Sequence, residues 1–344
     1  MPPRRLLPCA GTGPPARPGA KGARIAFLGI DIGGTKTVLA LGDGAGAVQR
    51  RRRIPTRPSG DAEADLLRLA EQARGLTAEA GVSLDEVRAI GVSVPGPLDP
   101  EQGVVLHPPN LAGWGRVPVR TVLERELGRP VRLENDANAG ALAEWRFGAG
   151  RGTRHMVYLT MSTGVGGGLV LGGRVHRGLA CSAGEVGHMP VVWNGEPCAC
   201  GQRGCLEAYI GGAAWSRRLA RETPRSSAVA RLAGSPEAAR PEHVVTAARQ
   251  GDAFAQEEMS RYNDYLCRAL VTLSFVLAPQ LFVLGTIARA AGEDLCIGPV
   301  RKAVASRLWP ELREGVRIEA GQLGEQLPER AGLAVAMGDS AGPA

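Results

Sequence analysis

Runs of apolar residues closed by glycine or proline recur along the chain and alternate with stretches of helical period. Residues 24–31 (RIAFLGID) predict a buried strand running into a glycine turn, and Thr37–Leu41 and Ala47–Ile54 continue as a meander. Over Asp61–Ala80 the period changes, placing Leu66, Leu69, Ala73 and Leu76 on one helical face. Arg88–Val94 predicts a second apolar strand, Pro118–Leu127 a helix, Val131–Glu134 a short strand and Ala137–Phe147 an alanine-rich helix. A second cycle starts with a strand over His155–Met161, a glycine-rich turn, a strand over Gly168–Leu171 and a pairing segment over Val175–Arg177. Residues 189–205 lack periodicity, and Leu206–Leu277 predicts mainly helix, interrupted around Pro224 and Ser235-Pro236. Strands over Leu281–Leu284 and Val316–Glu319 and helices over Val300–Leu308 and Glu329–Met337 close the chain.

Strands alternating with helices indicate an α/β protein. Strand, glycine turn and strand occur near residue 31 and again near 162, so two similar halves facing one cleft are the simplest architecture. The expected division is a basic tail over 1–24, a first α/β unit over 25–136 completed by 325–344, and a larger unit over 137–324.

Length, at 344 residues, agrees with two domains. The formal charge is +7, but Arg4, Arg5, Arg17, Lys21 and Arg24 supply five of those charges in a segment without acidic residues. A body of +2 does not look like a binder of nucleic acid. The Arg50–Arg53 run reads as a solvated strand edge. No apolar run is long enough to span a membrane, and no apolar stretch typical of a signal peptide follows Arg4 and Arg5. Residues 1–24, crowded with proline and glycine, read as a disordered tail or an over-extended start. A cytoplasmic location is expected, in which the seven cysteines serve as metal ligands or free thiols rather than disulfides.

Five segments carry chemistry. Asp31-Ile-Gly-Gly-Thr-Lys36 follows a strand directly. Its paired glycines let backbone N–H groups approach phosphate, Thr35 and Lys36 add a hydroxyl and a cation, and Asp31 can hold Mg²⁺ through water. A tight hairpin needs only the glycines; the flanking residues favour phosphate. Ser162-Thr-Gly-Val-Gly-Gly-Gly168 is a second cradle of this kind, so two turns can clamp one triphosphate. Glu134-Asn-Asp136 ends a strand, where Asp136 can take a proton from an attacking hydroxyl and can also cap the helix behind it. His188 with Cys198, Cys200 and Cys205 makes a tetrahedral Cys₃His zinc site with no open position, hence structural. Glu185 and Glu207 bracket that loop and can accept hydrogen bonds from sugar hydroxyls.

Together the motifs D-x-G-G-T-K at 31–36, E-N-D at 134–136, S-T-G-V-G-G-G at 162–168, E-V-G-H at 185–188 and C-x-C-G-x-x-G-C-x-E at 198–207 resemble those of the ROK family of repressors, open reading frames and kinases. The resemblance implies the actin-like, hexokinase-type ATPase fold and transfer of the ATP γ-phosphoryl group to a hexose hydroxyl, glucose foremost, with another hexose such as mannose, an N-acetylhexosamine (N-acetylglucosamine or N-acetylmannosamine) or a non-catalytic sugar sensor as alternatives. It makes Asp136 the base. It assigns Gly96, Asn110, Asn135, Asp136, Glu185, His188 and Glu207 to the sugar, with His188 serving both zinc and sugar. It assigns Asp31, Gly33, Gly34, Thr35, Lys36, Thr163, Gly164, Gly166, Gly167 and Gly285 to the nucleotide. It further implies a homodimer or homotetramer. Family kinases often carry two or three glycines after the late strand that meets adenosine; here Thr286 follows Gly285 and narrows the loop. Family repressors place a helix-turn-helix domain ahead of the first motif, and only the proline- and glycine-rich tail precedes Asp31 here. Phosphate-polymer-dependent glucokinases of the family usually lack the cysteine motif.

Overall fold

A computed structural model describes residues 26–108 and 110–339; the expected disordered tail over 1–24 lies outside the described residues. The first half runs β1 (Ala26–Ile32), β2 (Lys36–Asp43), β3 (Val48–Pro55), α1 (Ala62–Glu79), β4 (Val87–Val94), a small sheet of β5 (Leu98–Asp99), β6 (Val104–Leu106) and β7 (Arg116–Val117), then α2 (Val119–Leu127), β8 (Val131–Asn135) and α3 (Asp136–Phe147). The second runs β9 (Met156–Met161), β10 (Val165–Leu171), β11 (Arg174–Val175), α4 (Glu207–Ile210), α5 (Gly212–Glu222), α6 (Ala228–Ala233), α7 (Pro241–Arg249), α8 (Ala253–Leu277), β12 (Leu281–Leu284), α9 (Thr286–Gly292), α10 (Gly298–Ala305), α11 (Pro310–Gly315), β13 (Arg317–Ala320) and α12 (Leu327–Met337).

Among the described residues, two five-stranded sheets share one plan, β3-β2-β1-β4-β8 and β11-β10-β9-β12-β13. In each, three antiparallel strands form a meander and two parallel strands extend it. The duplicated strand-turn-strand pattern of the sequence is therefore a duplicated sheet. Residues β1 and β4 are buried along nearly their whole length because helices cover both faces of the sheet. On one face lie α1 and α2. Asp61 caps α1, accepting from the N–H groups of Glu63 and Ala64, and Leu66, Leu69, Ala73 and Leu76 line its buried side. On the other face lies α12, reached from the far end of the chain.

Glycines set how closely α12 approaches. A Cβ at Gly91 of β4 would lie 2.1 Å from the Gly332 carbonyl oxygen and 2.2 Å from the Ala336 nitrogen, both backbone atoms that cannot step aside. Gly91→Ala is expected to destabilise the protein by about 2–3 kcal/mol, read as a lower urea midpoint with an unchanged slope. An unchanged midpoint would mean that the helix does not pack here.

The Arg50–Arg53 run lies on edge strand β3 as expected, with Arg50, Arg51 and Arg53 exposed, but its side chains also make specific contacts. Strand pleating sends alternate side chains to opposite faces. Arg50 and Arg52 reach α1, where Arg52 bonds Gln72 and Glu79, whereas Arg51 and Arg53 converge on the buried carboxylate of Glu329 in α12 at 2.8 and 3.0 Å. The edge strand is thus tied to both covering helices. Strands β5, β6 and β7 and helices α9 and α11 were not expected, being too short to show a period. No described helix is long and apolar enough to cross a membrane.

Candidate active site

The parallel strands of the first sheet end together. Asp31 of β1 pairs in register with Ser93 of β4, and Ser93 with Glu134 of β8. The Ser93 hydroxyl donates to Asp31 Oδ1 at 2.6 Å. Burial pushes the Asp31 carboxyl up to about 6, Ser93 opposes the rise, nearby Asp136 adds to it and Lys36 opposes it. At α3 the cap is Asn135 and not Asp136: Asn135 Oδ1 accepts the Asn138 N–H at 2.7 Å, leaving the Asn135 Nδ2 group to donate elsewhere. Asp136 is the first helical residue, and its Oδ1 takes the Ala137 N–H at 2.8 Å. Its carboxylate opens to the cleft, yet the protein packed around it raises its pKa through desolvation, and the charge of Glu185 raises it further. A carboxylate so placed is a stronger base than one in water.

A pH dependence follows. An Asp31 that must be ionised to hold a cation loses that ability as pH falls through about 6. On the nucleotide role that the resemblance implies for Asp31, the apparent affinity for Mg-ATP is expected to fall with it. The same shift acts on stability with a definite sign. The folded pKa lies above the unfolded value of 3.8, so the folded protein binds the extra proton between 3.8 and about 6, and stability is lost as pH rises through that window. Asp31→Asn removes a cost of up to about 3 kcal/mol at pH 7.5 and close to nothing at pH 4. A melting-temperature gain that does not shrink toward pH 4 would contradict the assignment.

Both glycine turns are formed. In the first, the Gly33 N–H donates to the Lys36 carbonyl at 3.0 Å, and neither Gly33 nor Gly34 takes a left-handed backbone; what they provide is room. A Cβ on Gly34 would lie 3.5 Å from Asn110 Cβ, which places Asn110 beside this turn. Gly34, Thr35 and Lys36 are exposed. In the second turn, Ser162 N–H donates to the Gly164 carbonyl at 2.9 Å. The N–H groups of Gly212 and Ala213 at the start of α5 bind the Ser162 and Thr163 carbonyls at 2.8 and 2.9 Å. Gly166 and Gly167 do not belong to the turn. They lie in β10, paired with Thr160 and Leu159, and their small size admits α3 and the segment before Glu185: a Cβ on Gly167 would meet the Gly184 carbonyl at 2.8 Å. Gly285 follows β12 and precedes α9, and a Cβ there would press on the Tyr158 hydroxyl at 2.8 Å. The next residue, Thr286, holds a φ of 45°, in the left-handed region that favours glycine, with its hydroxyl 2.8 Å from that of Thr160. Gly96 follows β4 at the same end of the first sheet.

Glu207 begins α4, and its Oε2 accepts the Val165 N–H at 2.8 Å; a Cβ on Gly164 would lie 2.4 Å from the same oxygen. The residue expected at the sugar therefore also braces the second turn. Beside that turn lies a cavity of about 550 Å³ whose walls include Ser162, Thr163, Ser216, Arg217, Glu237, Arg240 and Ile287. The polar residues of α5, α7 and the turn between α6 and α7 were missed in the sequence, where they carry no motif and read as ordinary helix surface.

The cysteine loop closes on itself. Pro190 bridges to Cys205 and Pro197 to Arg203, while Gly201 and Gly204 take φ values of 88° and 78° that other residues rarely adopt. This brings His188, Cys198, Cys200 and Cys205 together, with all four ligand atoms within 4.8 Å of one another. His188 Nδ1 lies 3.7 Å from Cys198 Sγ, and Cys200 Sγ lies 3.7 Å from Cys205 Sγ. Ligands at about 2.0–2.3 Å from one tetrahedral ion stand at this spacing from each other. The other ring nitrogen, Nε2, lies 4.0 Å from Glu185 Oε2. His188 thus turns one nitrogen to the thiols and the other toward the carboxylates of the cleft.

The description ROK family fits residues 27–336 of the chain. The glucokinase of Thermotoga maritima is 38% identical over 305 residues, which is 88% of this chain and 94% of the relative. The crystal structure of the ROK hexokinase from Thermus thermophilus matches 91% of this chain and 98% of its own at 34% identity and a TM-score of 0.76. A ROK family glucokinase from Streptomyces griseus in complex with glucose and AMPPNP matches 91% and 99% at 33% identity and a TM-score of 0.75.

Proposed function

From the premise that this chain belongs to the ROK family, we propose that it is an ATP-dependent glucose kinase that makes glucose 6-phosphate and ADP. The observation that carries the reading is Asp136, a desolvated carboxylate at the cleft with buried Asp31 beside it. Relatives of that activity at 32–38% identity and a related structure that holds glucose and AMPPNP support it.

In this reading the 6-hydroxyl of the sugar approaches Asp136, whose carboxylate takes the hydroxyl proton as the oxygen attacks the γ-phosphorus and ADP departs. Gly33, Gly34, Thr35 and Lys36 face the phosphates from one side and Thr163 and Gly164 from the other. The cavity beside Thr163 has room for the nucleoside. Asn135, Glu185, His188 and Glu207 accept or donate to the sugar hydroxyls, with Gly96 and Asn110 at the rim. Asp31 would hold Mg²⁺, which when bound offsets phosphate charge.

The Cys₃His cluster is read as a structural zinc site, held by His188, Cys198, Cys200 and Cys205, because its donors number four and suit zinc. Its contribution is to fix His188, Glu185 and Glu207. A cytoplasmic location, where ATP is at hand, and a homo-oligomer complete the reading.

The substrate is tested with purified protein, Mg-ATP and a panel of glucose, mannose, N-acetylglucosamine, N-acetylmannosamine, allose and fructose, following ADP. Glucose is expected to give the highest kcat/KM. A higher value for an acetamido sugar would move the substrate while leaving the chemistry in place.

A further inference from the structure

The motif that supplies the base begins with Glu134, whose side chain is buried to 2% exposure at the end of β8. Its two oxygens divide their bonds. Oε1 accepts from the Asn135 N–H and from Asn138 Nδ2, both at 3.1 Å, so it holds the chain on either side of Asp136. Oε2 accepts from Arg177, from Nε at 2.9 Å and Nη2 at 2.6 Å. Arg177 comes from the second half, just after β11, in the segment leading to Glu185. Its outer edge is held in turn: Nη1 and Nη2 donate to the two oxygens of Asp339 at 2.6 and 3.0 Å. Asp339 follows α12, the helix that packs on the first sheet.

A buried carboxylate keeps its place only while its charge is matched by hydrogen-bonded cations. One guanidinium that engages two carboxylates through a planar fork fixes both in direction as well as distance. A lysine has no such fork.

We propose that Arg177 is a positioning residue for phosphoryl transfer, acting through Glu134 to hold the strand-to-helix corner that carries Asp136, with Asp339 locking the guanidinium from behind. The proposal rests on the kinase reading above. The effect belongs to kcat, because the corner sets where the base meets the hydroxyl and the phosphate turns lie on other segments. A misplacement of the order of 1 Å costs up to about a hundredfold in such a step.

The test is a double-mutant cycle. Arg177→Met is expected to lower kcat by about tenfold or more with KM for ATP nearly unchanged, and Asp339→Asn to lower it several-fold. Arg177→Lys, able to serve one carboxylate at a time, should fall between Arg177→Met and wild type. In an Asp136→Asn background Arg177→Met should remove nothing further, since the group it positions is gone. Where Arg177→Met fails to fold, Glu134→Gln/Arg177→Met relieves the unmatched buried charge and carries the same kinetic expectation. All rates are taken well below each variant's melting temperature. An unchanged kcat in the folded variants, or an equal loss with and without the Asp136 carboxylate, overturns the positioning role. A wild-type protein that transfers no phosphoryl group to sugar overturns the kinase reading, and this role with it.

Discussion

Asp136→Asn is expected to lower kcat by about a thousandfold while glucose and ATP still bind. General-base contributions commonly fall between about 10²- and 10⁴-fold, and an amide cannot take the hydroxyl proton. The geometry makes the variant a clean test. The Ala137 N–H that bonds Asp136 Oδ1 can bond an amide oxygen equally well, so the start of α3 keeps its shape. Removing the charge also relieves its repulsion with Asp31 and Glu185. The variant should therefore be no less stable than wild type, and the acid limb of Mg-ATP affinity should move below its position near pH 6. Turnover within a few-fold of wild type would remove Asp136 from the role of base.

Loss of the metal is expected to do more damage to the sugar than to the nucleotide. Cys205 is buried and bridges to Pro190, and Met189, Val191 and Val192 pack on the core, but the stretch from Trp193 to Arg203 is largely exposed and has little apolar packing of its own. Coordination would supply the missing folding energy. Cys205→Ser, or prolonged chelation, should raise KM for glucose by about tenfold or more and lower the melting temperature, because His188 and Glu185 lose their support. Because Glu207 also braces Val165, a smaller rise in KM for ATP should accompany it. Metal analysis should give about one zinc per chain. Zinc-free protein with full activity and unchanged melting would contradict the site.

Much of this was legible in the sequence because its signals are local. Alternation and helical period placed the long strands and helices, and the two strand-turn-strand cycles announced the duplicated sheets. The cysteine spacing, with Gly201 and Gly204 where the backbone turns left-handed, brought four ligands together on paper as in space. What was not legible depends on partners distant in the chain. The glycines at 166 and 167 look like a continuation of the glycine turn, and only the packing of β10 against α3 and Gly184 reveals that their small size also serves close approach. Glu134 and Arg177 lie 43 positions apart and carry no joint pattern. The cavity wall on α5 and α7 likewise has no motif, because a helix surface lining a cavity and one facing bulk water have the same composition. Thr286 could be singled out as a departure, but its left-handed backbone is a tertiary fact.

The central claim is that this cleft moves a phosphoryl group from ATP to a sugar hydroxyl. Phosphorus NMR of the protein with Mg-ATP and glucose tests it most directly, since it distinguishes a phosphate ester from free phosphate. The account predicts ADP and a hexose 6-phosphate ester appearing together in equal amounts, with neither formed by Asp136→Asn at a comparable rate. ADP accompanied by inorganic phosphate, or ATP left intact in the presence of glucose and the other sugars tested, would contradict it.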